Sequence, residues 1–566
     1  MRSPRALFDA IRNDRPARLG LLATLGSCAA LWSLMCVWVH RSFEGDFSGP
    51  LLISAHFQVP ERAQEAGIRP TVPKTMGGRG WDGQFYYHMS NDPFLRRDTA
   101  AAMDNAPYRY QRIGVPVVAR ALAKLGGQKV TPPWLFHFSQ ILLTSLGFGA
   151  LVWCLARNGQ NPAWAFLWLG TAGVLQSLSH GLNDAPCDAL FAISLVALLS
   201  RNLGIYAASA VLLVLCREGY AAYCAAVFAG TALGLIRWSD SQHTWRRYFT
   251  HLTCVGLPGV AVLGWAWYVA QRCGTPILAG SSMPGWEGLT DYPFASMYRN
   301  FLMNWHDGLL HEVRMKSVSI AVLVTTLFAI PALARRLPVI VVTLPYVFLI
   351  TATGDIVWQD QTSYTKAMGS LVVINILLLT VTRGRLIKLL LLANLLFGVQ
   401  MMFELKVWHE PFFSSRAAAL AVEPPPPGPT NPPLTDHSSR VVLREEDDGS
   451  NRYEGVWSPF HREAVIVRAT VSNLSEQPWL RNPIGGAPLG VSLGWRLLDE
   501  VGRPVKEGRA QLPAEVEPGG TLEFSFAVPP VARGTYTLRC AVVQDAVHWL
   551  DHPNRANGGE LIVTFR

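Results

Sequence analysis

The chain has 566 residues, half of them apolar, with 16% charged and a formal net charge of +9. Soluble domains carry nearer a quarter charged residues, so a single water-soluble body is excluded. The basic residues sit in short turns between apolar runs and never form a long Lys/Arg tract, which reads as membrane orientation rather than nucleic-acid binding. Nine cysteines occur without a CxxC pair, which supports neither a zinc site nor a disulfide framework.

The first eighteen residues, "MRSPRALFDAIRNDRPAR", carry five arginines ahead of an apolar run from Leu19 to His40. That run exceeds a typical signal-peptide core and lacks a small-residue cleavage site, so a retained first span is expected. Apolar runs then begin near Trp134, Pro162, Pro186, Leu203, Ala221, Leu252, Ser317, Pro338, Ala367 and Leu386, about eleven spans in all. With a cytoplasmic N-terminus, the inner turns are Arg157–Asn161, Arg201–Asn202, Arg237–Tyr248, Arg335–Arg336 and Arg383–Lys388, and every one carries arginine. The loops Arg41–Pro133, His180–Ala185, Arg217–Tyr220, Arg272–Lys316 and Gly354–Lys366 then face outward. An odd number of spans puts the C-terminal region outside as well.

Past Glu404 the composition changes. "VEPPPPGPTNPPL" (Val422–Leu434) reads as a stiff polyproline-like linker within 405–449. From 450 to 566, the segments "AVIVRATVSN", "GVSLGWRLLDE", "TLEFSFAVP", "GTYTLRCAVVQ" and "ELIVTF" alternate apolar and polar residues between turn signals, and "LDEVGRPV" is a hairpin signal. The predicted fold class is a multi-pass α-helical membrane protein (residues 1–404) with a C-terminal, immunoglobulin-like β-sandwich on the periplasmic side. Trp457, Trp479, Trp495 and Trp549 in that region are candidate glycan contacts if exposed, although Trp495 lies in an alternating strand and suits a core.

The first outer loop, 41–133, concentrates the chemistry. "RGWDGQFYYHMSNDPF" (Arg79–Phe94) sets Asp82 among aromatics, and "MDNAPYRYQRIGVPVVARALAKLGG" follows, with Ile113–Leu125 amphipathic enough to lie along a membrane surface. A reaction of a lipid-linked phosphate at this boundary needs a carboxylate to take a proton and cations to hold the leaving group. Asp82 suits the base. Arg109 and Arg112, with Lys366, suit the phosphate. Gln84, Tyr86, Tyr87 and Asp92 are candidate substrate contacts, joined by Asn183, Asp184, Arg217 and Glu218 from the later outer turns.

The two loop stretches, on a polytopic body with an early carboxylate, resemble the GT-C class of glycosyltransferases, in particular a group of bacterial membrane proteins of cell-surface glycopolymer formation. The resemblance covers the membrane half. It implies an inner-membrane enzyme that takes a sugar from a polyprenyl-phosphate donor, inverts its anomeric centre and passes it to a cell-envelope glycan or lipid-linked acceptor, with Asp82 as catalytic carboxylate and with membrane lipids, not nucleic acid, as partners. Members of that class often pair two acids soon after the first span. Here Gly83 and Gln84 follow Asp82, and a Glu44-Gly45-Asp46 pattern lies nearer the span, so Asp46 is the alternative catalyst. No cofactor is called for, because a phosphate leaves as a stable anion; a divalent cation stays open, and no metal site is assigned.

Each candidate also has a plain structural reading. Asp82-Gly83 can be a turn, Asp92-Pro93 a helix boundary, Asp46 and Asp184 caps, and Arg109 and Arg112 interfacial anchors. Other functions compatible with the sequence are a transporter or flippase of lipid-linked glycans and a non-catalytic assembly protein, although related halves and mid-membrane charges are not evident.

Overall fold

The computed structural model describes residues 14–54, 57, 59–68, 80–238, 245–273, 291–306, 310–381, 439–445, 465–479, 491–528, 534–544, 548–549 and 559–565, with single interruptions at 335, 360, 503 and 513. The expected span near Leu386, the proline-rich linker and Trp457 lie outside these residues, as does the Trp549 side chain. The chain forms two compact units, one helical and one strand-rich.

In the helical unit, α1 (Arg15–Phe43) starts at Asp14, whose carboxylate accepts from the Ala17 amide, and has a proline in its first turn. It stops at Glu44 and Gly45, both with positive φ. The loop that follows holds α2 (Gly83–Asn91), α3 (Ala106–Tyr110) and α4 (Gly114–Leu125). The bundle continues with α5 (Pro133–Arg157), α6 (Ala172–Ser179), α7 (Asp184–Leu199), α8 (Leu203–Cys216), α9 (Ala221–Ala232) and α10 (Trp245–Cys273). It closes with α11 (Ala295–His306), α12 (Leu310–Leu333), α13 (Leu344–Thr351), α14 (Asp355–Gln359), α15 (Gln361–Ala367) and α16 (Gly369–Leu378).

Among the described residues, five segments are long and apolar enough to cross a bilayer: Arg15–Phe43, Pro133–Arg157, Trp245–Cys273, Glu312–Leu333 and Ser363–Val381. Leu203–Cys216 and Pro338–Thr351 are shorter apolar helices. The expectation of about eleven spans, some of them short, is therefore met only in part. The run from Pro162 breaks at Gly170 and Thr171 into a short turn, a four-residue helix and α6, because the Thr171 hydroxyl caps a new helix by accepting from the Val174 amide. The runs at Pro186 and Ala221 give helices of 16 and 12 residues. These short helices bury their backbone polar groups within the helix and their side chains against neighbours; α7 is buried along nearly its whole length.

Glycine sets how close the helices come. On α5, a Cβ at Gly149 would lie 1.9 Å from Thr24 Oγ1 and 2.7 Å from the Gly20 carbonyl of α1. A Cβ at Gly147 would lie 2.5 Å from Ala189 of α7. Positions two apart point to opposite sides of a helix, so α5 has one glycine for each neighbour, the small-residue packing that helices use in lipid.

The strand-rich unit holds two antiparallel sheets. One has the order β1 (Ser439–Glu445), β2 (Val465–Asn473), β5 (Thr521–Val528). The other runs β4 (Pro504–Gln511), β3 (Val491–Leu498), β6 (Gly534–Gln544), β7 (His548–Trp549), with β8 (Gly559–Phe565) also on β6. The hairpin signal between β3 and β4 folds as a turn in which the Gly502 amide donates to the Asp499 carbonyl at 2.9 Å, with Gly502 at φ 81°. Strand β1 begins inside the segment expected to be linker, since Val441 and Leu443 alternate into the core. Trp479 and Trp495 are core residues, so neither is an exposed glycan platform; a Cβ at Gly508 would strike the Trp495 ring at 2.3 Å.

Gly149→Ala is expected to lower helical-unit stability by roughly 1–3 kcal/mol through overpacking. Gly26→Ala, where a Cβ meets nothing within 4 Å, is expected to raise it by about 0.5–1 kcal/mol through reduced chain entropy. Thermal melts in detergent check both, and shifts of the same sign would rule out the close α1–α5 packing.

Candidate active site

Two further glycines dock the first loop onto the bundle. Gly83 opens α2 with its α-carbon against the turn between α6 and α7: a Cβ there would lie 1.9 Å from the His180 carbonyl oxygen. Gly181, at φ 68°, meets it from the other side. Trp81 stacks on the His180 ring with centroids 4.2 Å apart. The Asp82-Gly83 pair is thus a helix start pressed onto a neighbouring backbone, where only glycine fits. Gly114, the first residue of α4, does the same on α8, where a Cβ would lie 2.4 Å from Cys216 Sγ and 2.8 Å from the Leu212 carbonyl. The first contact holds Asp82 beside the turn between α6 and α7. The second carries Arg112 to Arg217 and Glu218.

A chain of paired charges results. Arg109, 7% exposed, meets Asp82 at 2.7 Å through Nη1 and clasps Asp104 with Nε and Nη2 at 2.9 and 2.7 Å. Arg112 clasps Glu218 with Nη2 at 2.7 Å and Nε at 3.1 Å, and also donates to the Tyr108 hydroxyl. Arg217 meets Asp184 at 2.9 Å. The Asp184 carboxylate also feels the positive charges of Lys366 and Arg112. Lys366 reaches the cluster because α15 backs onto α6 at Gly173, where a Cβ would lie 3.1 Å from the Lys366 α-carbon. Tyr86 and Tyr108 fill the space between the two loop arginines, with the Arg112 guanidinium 4.4 Å from the Tyr108 ring centre and that of Arg109 4.8 Å from the Phe85 ring centre.

Burial works against ionisation throughout, and pairing overcomes it. Burial lowers the Arg109 and Arg112 pKa values, but their carboxylate partners raise them above the ordinary arginine value. Burial would raise the Glu218 carboxyl, yet Arg112 brings it down to about 2. Burial raises the Asp104 carboxyl, but the hydrogen bond and charge of Arg109 together with backbone hydrogen bonds hold it below its usual value. Burial pushes the Tyr86 phenol above its usual range, so it stays neutral.

Asp82 is the accessible end of this chain. Its side chain is 47% exposed, Oδ2 faces Arg109, and Oδ1 has no partner among the described residues. Lys366 is half-buried and makes no hydrogen bond or close ion pair among the described residues. Asn183 donates to the Arg112 carbonyl at 3.2 Å and leaves its buried Oδ1 unpartnered.

The other sequence candidates are placed apart from this work. Asp46 closes a local turn, accepting from the Ser48 amide and hydroxyl at 2.8 Å each. Asp92 is buried and accepts from the Arg96 and Arg97 amides, a helix-end role. Gln84 is buried and accepts from the Ser54 amide at 3.0 Å. Tyr87 is buried and donates to the Thr131 carbonyl at 3.0 Å. Arg109 and Arg112, expected as the phosphate clamp, are each engaged by carboxylates. Asp104, Tyr108 and His180 belong to the site and were not singled out from the sequence. Asp104 had a visible signal: the Asn105 side chain caps α3 by accepting from the Tyr108 amide, which turns Arg109 back toward it. Among the described residues, no group of three His, Cys, Asp or Glu could hold a metal ion.

The Arg112–Glu218 pair makes a pH test possible. A carboxyl held at about 2 against its ordinary 4.5 adds stability above pH 4.5 and loses that contribution as the pH falls toward 2. Wild type is therefore expected to melt higher than Glu218→Gln at neutral pH, with the gap closing across that acidic window. A gap independent of pH would reject the pair as the source.

No family model matches the sequence, and no curated protein or solved structure is similar to it.

Proposed function

We propose that the protein is an inverting glycosyltransferase of the bacterial inner membrane. It transfers a sugar from a polyprenyl-phosphate donor to a hydroxyl of a cell-envelope glycan or lipid-linked acceptor. The observation that carries this reading is Asp82: an exposed carboxylate with one oxygen at 2.7 Å from a buried arginine and the other oxygen open. In this scheme the acceptor hydroxyl gives its proton to Asp82 Oδ1 as its oxygen attacks the anomeric carbon. The bond from that carbon to the phosphate oxygen breaks, and the polyprenyl phosphate leaves with the electron pair.

Arg109 holds the carboxylate in place and is itself locked by Asp104. Lys366 and Arg217, which share the single carboxylate of Asp184, are the cations with charge to spare for the departing phosphate. That shifts the phosphate role from the loop arginines to the later outer turns. A site facing the periplasm, an N-terminus in the cytoplasm and an immunoglobulin-like sandwich for the two C-terminal sheets complete the reading. The arginine-bearing turns at the other ends of the helices support that orientation.

With a panel of polyprenyl-phosphate-linked pentoses and hexoses as donors, Asp82→Asn is expected to reduce transfer by about 10²–10⁴-fold, with an unchanged melting temperature. Asp46→Asn is expected to transfer as wild type. Transfer at the wild-type rate by Asp82→Asn would sink the assignment, and a loss confined to Asp46→Asn would move it to that residue.

A further inference from the structure

Trp81 stands next in the chain to Asp82, and the structure fixes it from three directions. Gly80 precedes it at φ 69°, the left-handed region, where a Cβ would lie 2.1 Å from the Leu52 carbonyl oxygen and 2.7 Å from Gln84 Nε2. Glycine alone meets both demands. The Trp81 carbonyl accepts from the Gln84 amide at 3.1 Å, in the first turn of α2. The His180 ring backs the indole, with centroids 4.2 Å apart and planes at 34°. That ring is itself held, its Nδ1 lying 2.8 Å from the Ser179 hydroxyl and 3.1 Å from the Gln176 carbonyl.

Trp81 is held but not used up. It is partly exposed. Among the described residues no second ring, cation or hydrogen-bond partner lies against it. Its Nε1 reaches solvent, whereas those of Trp168 and Trp479 are shut away. The aromatic residues that follow on α2, Phe85, Tyr86 and Tyr87, are buried, so Trp81 is the ring of this stretch that a ligand at Asp82 can touch. Anchoring the loop accounts for an apolar side chain on His180, and Gly83 already supplies an anchor through backbone. It does not account for an indole with a ring behind it, none in front, and an unused donor beside a carboxylate with an open oxygen.

We propose that Trp81 is the platform on which an acceptor sugar stacks, so that the hydroxyl given to Asp82 belongs to a carbohydrate ring rather than to a lipid alcohol or a peptide side chain. The inference rests on the glycosyltransferase reading for the reaction, and on Trp81 itself for the binding. The C–H bonds on one face of a sugar ring carry small positive charges that match the negative face of an aromatic ring, and that apolar face leaves water as it seats. The indole N–H donates to a sugar hydroxyl. Successive α-carbons are about 3.8 Å apart, so a ring seated on the indole has edge hydroxyls within one residue's reach of the Asp82 carboxylate. Because Trp81 is fixed before the ligand arrives, binding adds little ordering cost. The base therefore goes with the acceptor, and the donor phosphate is left to the cations around Asp184, Arg217 and Lys366.

The test uses the purified full chain in detergent micelles, melted with a panel of methyl glycosides of neutral pentoses and hexoses. At least one glycoside is expected to raise the wild-type melting temperature. Trp81→Leu, which keeps an apolar side chain on His180, is expected to need roughly tenfold more of it for the same rise, and Trp81→Phe to recover most of the response. Asp82→Asn should keep the response, since an amide oxygen still accepts from a sugar hydroxyl, which separates the platform from the base. In transfer assays Trp81→Leu is expected to raise the acceptor KM about tenfold and to leave the donor KM unchanged. No response of wild type to any glycoside, or an equal response of Trp81→Leu, would overturn the platform. A raised donor KM in place of a raised acceptor KM would overturn the acceptor assignment. If Trp81→Leu does not fold, the same glycosides are tested for protection of Trp81 in the wild-type chain against oxidation by N-bromosuccinimide, read by peptide mass spectrometry. Protection is expected, and its absence would overturn the platform.

Discussion

The candidate site depends on the backbone contact at Gly83. With its α-carbon against the His180 carbonyl, the first loop cannot drift from the turn between α6 and α7. The side chain just before that glycine, Asp82, is therefore held beside that turn, with Arg109 at 2.7 Å. The Gly114 contact on α8 repeats the device and fixes Arg112 over Arg217 and Glu218. Two points of attachment define the loop's position on the bundle, and side-chain pairing then sets the detail. A side chain at Gly83 would have to displace backbone, and one at Gly114 the Cys216 sulfur and the Leu212 carbonyl, which a packed interior resists.

Given that docking, the charges sort themselves by burial. A buried arginine without a partner is costly, so Arg109 and Arg112 recruit Asp104 and Glu218. Asp82 is the third member of the Arg109 group and the exposed one. A carboxylate in that position is oriented from behind and open in front, the arrangement asked of a positioned base. The same logic bears on the loop arginines. Their charge is already balanced, whereas Lys366 and Arg217 draw on one carboxylate between them.

Much of this was legible in the sequence, in a graded way. The amphipathic period of Ile113–Leu125 appears as α4 over Gly114–Leu125, and the alternating C-terminal segments appear as strands in two sheets. The loop, its carboxylate and its arginines could be found because their residue types are unusual beside an apolar span. Partner choice could not. Asp104 lies five positions before Arg109, a separation that faces neither way on a regular helix, and only the Asn105 cap brings the two together. Glu218 is remote in sequence from Arg112 and meets it through the Gly114 contact. Gly83 looked like turn chemistry because local propensity describes an Asp-Gly pair without its tertiary neighbours. Hydropathy also overcounted spans, since a run such as the one from Pro162 can be apolar throughout and still be broken by a cap at Thr171 into pieces that neighbours bury.

The two ends of α5, α7 and α16 bring the argument together. At one end these helices meet a group of acids and bases in near balance. Such balance lets charged side chains sit beside apolar spans without a net field that would repel a charged substrate or trap its product. At the other end, Arg157 closes α5 and Arg201 follows α7, where basic side chains are tolerated next to water or headgroups. Charge asymmetry along a shared set of helices is what a chain held in one orientation across a bilayer requires. It arises here from particular residues: carboxylates at Asp82, Asp104, Asp184 and Glu218 on one side, and the arginines Arg157 and Arg201 on the other.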